Sequence, residues 1–139
     1  MSLPSSATSG DLMVWYVDTS AFLKLVVAEV ESTAMRQWVA RHQPCWSSHL
    51  LATEAVRAAT RLGIDDEIVA RALDTISLVL PAASTFHSAA SLEPTGLRSL
   101  DALHLAAALE LGADLEGVVT YDDRLIAGAR AASITVVSP

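Results

Sequence analysis

The sequence contains little cysteine, little lysine and no long apolar run. A single cysteine, Cys45, excludes a disulfide framework within the chain and suits a reducing compartment, so we expect a cytoplasmic protein. No apolar stretch approaches the ~20 residues that span a bilayer, so no membrane partner is expected. Residues 1–12 lack the basic start and apolar core of a secretory signal. We interpret them as a flexible tail, or as the result of a start codon placed too early, before one domain at 13–139.

Positive charge is scarce in this chain. The net charge is −7, and Lys24 is the single lysine among nine basic residues. Because affinity for phosphate comes mainly from Lys and Arg, non-specific binding of polyanions is disfavoured. Any nucleic-acid function must therefore depend on a local site, where metal ions or a few arginines offset the acids.

The remaining sequence has the composition and patterning of a packed α/β domain. It is 52% hydrophobic, which excludes a disordered chain. Short β-rich runs alternate with segments of helical periodicity, which predicts a parallel sheet of four to five strands between helices, a three-layer sandwich. Ser48, Gly63, Asp65 and Ser99 are predicted helix caps. The expected strands are 14–17, 45–47, 76–80, 117–120 and 134–137, and the expected helices are 19–28, 31–42, 49–62, 65–75, 84–92, 101–111 and 123–132.

Four acidic residues occupy distinctive places in this pattern. Asp18 and Asp122 follow the apolar runs VWYV and GVVT, and ligands of open α/β sheets bind at the carboxyl ends of strands. Glu54 flanks the buried face of its predicted helix. Asp101 opens a helix that is apolar nearly all the way round, which implies central burial. The pattern predicts one site that contains all four carboxylates.

Each acid also has a local explanation. Asp18 suits the N-cap of the helix that follows it. An exposed Glu54 would pair with Arg57 one turn away. Asp101 and Asp122 would each favour the dipole of a helix N-terminus. These explanations are independent of one another, whereas a shared site accounts for all four positions together.

Four neighbouring carboxylates would repel one another unless cations were bound between them. Oxygen ligands without clustered His or Cys select Mg²⁺, with Mn²⁺ as the alternative, and such sites usually act on phosphate oxygens. Basic residues near the acids in sequence are candidates to contact phosphates, although each is equally well explained as an exposed charge. These residues are Lys24, Arg57, Arg98 and Arg124.

Several segments resemble the signature blocks of PIN-domain ribonucleases, above all the VapC toxins of bacterial toxin–antitoxin pairs. The blocks are VDTSAFLKL, a helix with EAVR, LRSLDALHLAAAL and VVTYDDRL, and the resemblance extends over residues 13–139. It implies the PIN-like sandwich and a Mg²⁺-dependent endoribonuclease that cleaves cellular RNA. It also implies a homodimer that a cognate VapB-type antitoxin inhibits by blocking the acidic site.

The resemblance also assigns roles to individual residues. The four acids, Asp18, Glu54, Asp101 and Asp122, correspond to the family's metal ligands and catalytic residues. Ser20 and Thr120 occupy supporting positions in the family's Asp-x-Ser and Thr-x-Asp patterns, and Asp123 is a rival to its neighbour Asp122.

Three alternatives to a nuclease share some of these features. A receiver domain needs a lysine after a late strand, whereas Lys24 lies in the first predicted helix. A phosphatase with an aspartate nucleophile would have Asp-x-Asp after the first strand, where this chain has Asp18-Thr19-Ser20. The serious alternative is a catalytically inactive PIN-like module that binds RNA or protein.

Several other polar or aromatic residues are expected to be structural. His104 lies in an Ala/Leu-rich helix and is interpreted as a core histidine. Trp15, Trp38 and Trp46 are expected in core or dimer contacts, and Cys45 is expected to be inert.

Overall fold

The structure is a computed structural model that describes residues 13–139. The predicted tail, residues 1–12, lies outside the described residues, so the expectation that it is flexible stays a prediction. Within the described part, no helix has the length and apolar character needed to cross a bilayer.

The described residues form one parallel sheet of five strands. The strand order is β3-β2-β1-β4-β5. The chain therefore places β2 and β3 on one side of β1 and then crosses over to place β4 and β5 on the other side. β1 and β4 therefore meet at the topological switch point, where ligands of such sheets bind. The strands are β1 Val14–Val17, β2 Cys45–Ser48, β3 Ser77–Val79, β4 Leu115–Val119 and β5 Val136–Val137.

Seven α-helices connect these strands in residues 13–139, with a short 3₁₀ turn at Gly112–Asp114. The predicted caps Ser48, Gly63 and Asp65 are confirmed, and Gly63 has the positive φ of 71° that favours glycine. The helices are α1 Thr19–Leu23, α2 Ser32–Arg41, α3 His49–Leu62, α4 Asp66–Leu73, α5 Ala83–Ala90, α6 Ser99–Leu109 and α7 Asp123–Ala131.

Two local expectations were wrong. Helix α1 ends at Leu23 instead of extending to residue 28. After Leu23 the amides of Lys24, Leu25 and Val26 bind carbonyls three residues back, so the helix tightens into turns. The turn that follows is held by the hydrogen bond from Ser32 Oγ to the Val27 carbonyl and by the ion pairs of Lys24 with two glutamates. At α6 the N-cap is Arg98, whose backbone is extended, and the expected cap Ser99 is already helical.

The two faces of the sheet are covered by different helices. Tyr16 and Val118 contact α6 and α7, whereas their neighbours Val17 and Val119 belong to the core formed with α1, α2, α3 and α4. Successive strand residues point to opposite faces, so β1 and β4 each supply both cores. The predicted three-layer α/β sandwich is confirmed.

The three tryptophans and the cysteine that were expected to be structural are half-buried or buried. Trp15 and Trp38 pack edge to face, with ring centroids 4.9 Å apart, against the larger core. Trp46 is half-buried in β2. Cys45 is buried, and burial raises the pKa of its thiol to about 11, which keeps it protonated and unreactive at neutral pH.

Gly117 in β4 is required by close packing. A Cβ at this position would lie 2.6 Å from the Thr135 carbonyl oxygen and 2.7 Å from Trp15 Cζ3. The Thr135 carbonyl accepts a hydrogen bond from Val118 N at 2.8 Å, so it cannot retreat without breaking a bond of the β4–β5 edge. Gly96, by comparison, has open space around its Cα.

We expect Gly117→Ala to lower the free energy of unfolding by about 1–3 kcal/mol, the usual cost of overpacking. The matched control Gly96→Ala should leave stability unchanged or slightly raised, because the added methyl group meets nothing. Urea denaturation of both variants measures the difference. Equal stabilities for the two variants would show that the β4–β5 edge can rearrange around the methyl group.

Candidate active site

Asp18 lies at the carboxyl end of β1 and is the N-cap of α1. Its side chain is buried, with 3% of its surface exposed. Oδ1 accepts hydrogen bonds from Ala21 N at 3.0 Å and Ser20 Oγ at 2.8 Å, and Oδ2 accepts from Thr120 Oγ1 at 2.6 Å. Burial nevertheless raises the pKa of Asp18, because these donors only partly offset desolvation. The helix-cap explanation is therefore correct but does not account for the buried charge.

Ser20 and Thr120, the predicted supporting residues, link the first turn of α1 to the loop that follows β4. Besides contacting Asp18, Ser20 Oγ accepts a hydrogen bond from Tyr121 N at 2.9 Å, and Thr120 Oγ1 accepts one from Asp122 N at 3.0 Å. Their two hydroxyl oxygens are 3.2 Å apart. The hydroxyl pair thus holds α1 and the loop after β4 together around Asp18.

Asp122 is the N-cap of α7, and Asp101 faces it from the first turn of α6. Asp122 Oδ1 accepts hydrogen bonds from two backbone amides in the first turn of α7, at 2.8 and 3.1 Å. Burial and then the charge of Asp122 raise the pKa of Asp101, against smaller opposing effects of His104 and Arg124. The structure therefore brings these two acids together. Asp123, the rival residue, is exposed in the first turn of α7.

Glu54 is held by two donors that converge on one oxygen. Thr19 Oγ1 donates to Glu54 Oε1 at 2.7 Å, and His104 Nε2 lies 2.7 Å from the same atom. Burial acts to raise the pKa of Glu54, but the hydrogen bond and charge of His104, together with the Thr19 bond, lower it overall. Within residues 13–139, Glu54 forms no ion pair with Arg57, so the explanation as an exposed surface pair is wrong.

His104 is the core histidine that the sequence predicts, and in addition it positions Glu54, a contact that the sequence analysis did not foresee. It is buried as predicted, with 3% exposed, but both ring nitrogens have partners, because Tyr16 OH lies 2.8 Å from Nδ1. Burial is the main cause that raises the pKa of Tyr16 to about 12, so its hydroxyl remains a neutral partner. A signal was present in the sequence. Asp101 and His104 are one helical turn apart, so they share a face of α6.

The four candidate phosphate contacts occupy different environments. The Lys24 ammonium is already paired with Glu29 and Glu31, at 3.2 and 3.0 Å. The arginines are exposed: one lies on α3 beside Glu54, one is the N-cap of α6 and one is in the first turn of α7. These are Arg57, Arg98 and Arg124.

The donor atoms of this site fit a divalent cation that keeps part of its water shell. In this arrangement, no three acidic, His or Cys side chains of the described residues are close enough to enclose an ion directly. Glu54 Oε2 and Asp122 Oδ2 make no hydrogen bond within the same residues, and every acidic ligand is an oxygen donor. Mg²⁺ usually takes one or two carboxylates and several waters, which suits this donor set.

We expect Asp101→Asn to stabilise the metal-free protein at neutral pH. A raised pKa in the folded state means that ionised Asp101 costs stability above that pKa. Removal of the charge should raise the melting temperature by about 1–3 °C, a small gain because solvent screens this partly exposed charge. The gain should shrink as the pH falls through the raised pKa towards about 4, where the wild-type carboxyl becomes protonated in both states.

Thermal denaturation in EDTA at pH 7.5 and pH 4 measures this difference. A lower melting temperature for the variant at pH 7.5, or a gain that does not change with pH, would show that Asp101 is not under electrostatic strain.

Comparison with known proteins identifies relatives over nearly the whole chain. The PIN domain family matches residues 15–131. Ribonuclease VapC46 of Mycobacterium tuberculosis is 38% identical over 125 residues, and Ribonuclease VapC47 of the same species is 35% identical over 130 residues. Both alignments cover 89% of this chain and 96% of the relative.

The same architecture occurs in a solved structure. The crystal structure of Mycobacterium tuberculosis VapC20, a sarcin–ricin loop cleaving toxin, matches with a TM-score of 0.70 and 17% identity. The match covers 90% of this chain and 99% of that chain, and at this identity it shows a shared fold alone.

Proposed function

Since this chain belongs to the PIN-domain family, in its VapC branch, we propose that it is a Mg²⁺-dependent endoribonuclease and the toxin of a toxin–antitoxin pair. The observation that carries the proposal is geometric: Asp18 follows β1 and Asp122 follows β4, so both lie at the edge of the sheet where these two strands end, and Asp101 faces Asp122. Burial raises the pKa of both Asp18 and Asp101, and the negative charge of Asp122 raises the pKa of Asp101 further. Such an arrangement is unfavourable by itself and becomes favourable when a cation is bound.

In this proposal Asp18, Glu54, Asp101 and Asp122 surround the ion, some of them as direct ligands and the others through its bound waters. When bound, Mg²⁺ supplies positive charge to phosphate oxygens and lowers the pKa of water for attack on phosphorus. The side chains of this chain determine the geometry. Ser20 and Thr120 fix Asp18, and Thr19 and His104 occupy Glu54 Oε1, which leaves Oε2 as the oxygen available to the site. Such outer partners usually contribute to both affinity and activity.

The partners carried over from the family are a second copy of the chain and a VapB-type antitoxin. Two apolar surfaces of the described residues support protein partners. One is a cavity of about 510 Å³ between α2 and α4, walled by Val39, Ile68 and Ala72. The other lies between α5 and α6, where Phe86 is 51% exposed. Apolar grooves of this kind accept amphipathic helices of partner chains.

We expect antitoxin-free protein to cleave RNA in Mg²⁺ and to be inactive in EDTA. Asp122→Asn should reduce the cleavage rate by more than the roughly 10–100-fold that loss of an outer-shell partner costs, because it removes a ligand. Asp123→Asn is the matched control, since it removes the same charge from the next residue, which is exposed. Gel analysis of a structured RNA over time measures both rates.

Three results would contradict this proposal. Cleavage in EDTA would exclude a metal mechanism, and equal rates for Asp122→Asn and the wild type would exclude this site. No cleavage of any RNA tested would favour the inactive PIN-like binding module. The antitoxin is tested separately, by removing any small co-purifying protein and then adding it back, which should restore inhibition of cleavage. If no such inhibitor is found, the antitoxin part of the proposal is wrong.

A further inference from the structure

One face of α3 extends away from the acidic site and carries two arginines. Leu50, Glu54, Arg57 and Arg61 follow one another at intervals of four, three and four residues, which places them along one side of the helix. The glutamate and the last arginine are seven residue steps apart, which is about 10 Å along the helix axis. The arginines therefore lie on a path that begins at the acids.

A cavity of about 460 Å³ lies beside this path. It shares Thr19 and Glu54 with the acidic site, so the two are continuous. Its walls are largely apolar and come from three helices, with Leu23 of α1, Leu50 of α3 and Leu100 of α6. Leu100 is 46% exposed, so the α6 wall of the cavity presents an apolar side chain to a ligand.

The arginines on the rim of the cavity are available for a ligand. Among the described residues, neither Arg57 nor Arg61 lies within 4.0 Å of a carboxylate, whereas Arg71 pairs with Glu67 at 3.0 Å. Both guanidinium groups are exposed and line the cavity. In a chain of net charge −7, two unpaired arginines one turn apart form a local anion-binding surface.

We propose that this cavity binds the nucleotide next to the cleaved phosphodiester bond, an inference that rests on the proposed ribonuclease function. The ribose and base lie between the leucine walls, and the phosphates that follow the cleaved one contact Arg57 and then Arg61. Phosphate contacts position a strand, whereas base-edge hydrogen bonds specify its sequence. Because Thr53 is the main neutral polar side chain in the cavity besides Thr19, the subsite discriminates weakly between bases.

The phosphate contacts are tested with Arg61→Ala and a short single-stranded RNA substrate. We expect KM to rise by about 5–10-fold with little change in kcat. The slope of log KM against log salt should fall by about 0.7, because the variant neutralises one phosphate fewer. Arg130→Ala is the matched control, because this exposed arginine of α7 does not line the cavity. Thermal denaturation establishes that both variants are folded.

The cavity itself is tested with Thr53→Phe, which fills it from an exposed position. This variant should raise KM for the normal RNA, and the increase should disappear for a substrate with an abasic nucleotide beside the cleavage site.

The outcomes separate this inference from the function on which it rests. If the wild-type protein does not cleave RNA, the proposed function fails and this subsite fails with it. If the wild type cleaves but Arg61→Ala matches Arg130→Ala in KM and salt slope, only the subsite is wrong. If the antitoxin inhibits Arg61→Ala more weakly than the wild type while KM for RNA is unchanged, the cavity binds a protein partner. That result would also overturn the proposal.

Discussion

The structure depends on keeping an ionisable carboxyl group, Asp18, buried at the end of the central strand. Desolvation makes that charge costly, and the surrounding structure is arranged to offset the cost. The first turn of α1 supplies an amide and the Ser20 hydroxyl, and the loop after β4 supplies the Thr120 hydroxyl. The parallel pairing of β1 with β4 is what brings α1 and that loop together, since Asp18 N also donates to the Val119 carbonyl at 3.1 Å.

A second network extends this arrangement to the other helices. Tyr16 of β1, Thr19 of α1, Glu54 of α3 and His104 of α6 form a continuous set of hydrogen bonds across both sides of the sheet. A buried polar network of this kind is favourable only when each member is satisfied. The Glu54 oxygen that faces the network has two partners, so its position is fixed while its other oxygen stays available. Stability and the geometry of the site therefore depend on the same contacts.

Much of this organisation could be predicted from the sequence. The alternation of strands and helices predicted the sandwich, and two strands ending in Asp predicted where two acids would lie. The partnership of Glu54 with His104 could not be predicted, because it joins residues 50 positions apart and depends on how α3 and α6 pack. The early end of α1 was missed for a similar reason, since the turn that follows it is held by Ser32 and two glutamates. Periodicity reports local structure, whereas these contacts are set by tertiary packing.

The central claim is that the acids at the switch point form one cation site. Anomalous diffraction from crystals soaked in Mn²⁺, which takes the same oxygen ligands as Mg²⁺, tests it most directly. We expect one strong peak bounded by Asp18, Glu54, Asp101 and Asp122, with water completing the coordination of the ion. A peak elsewhere on the chain, or none at millimolar Mn²⁺, would contradict it.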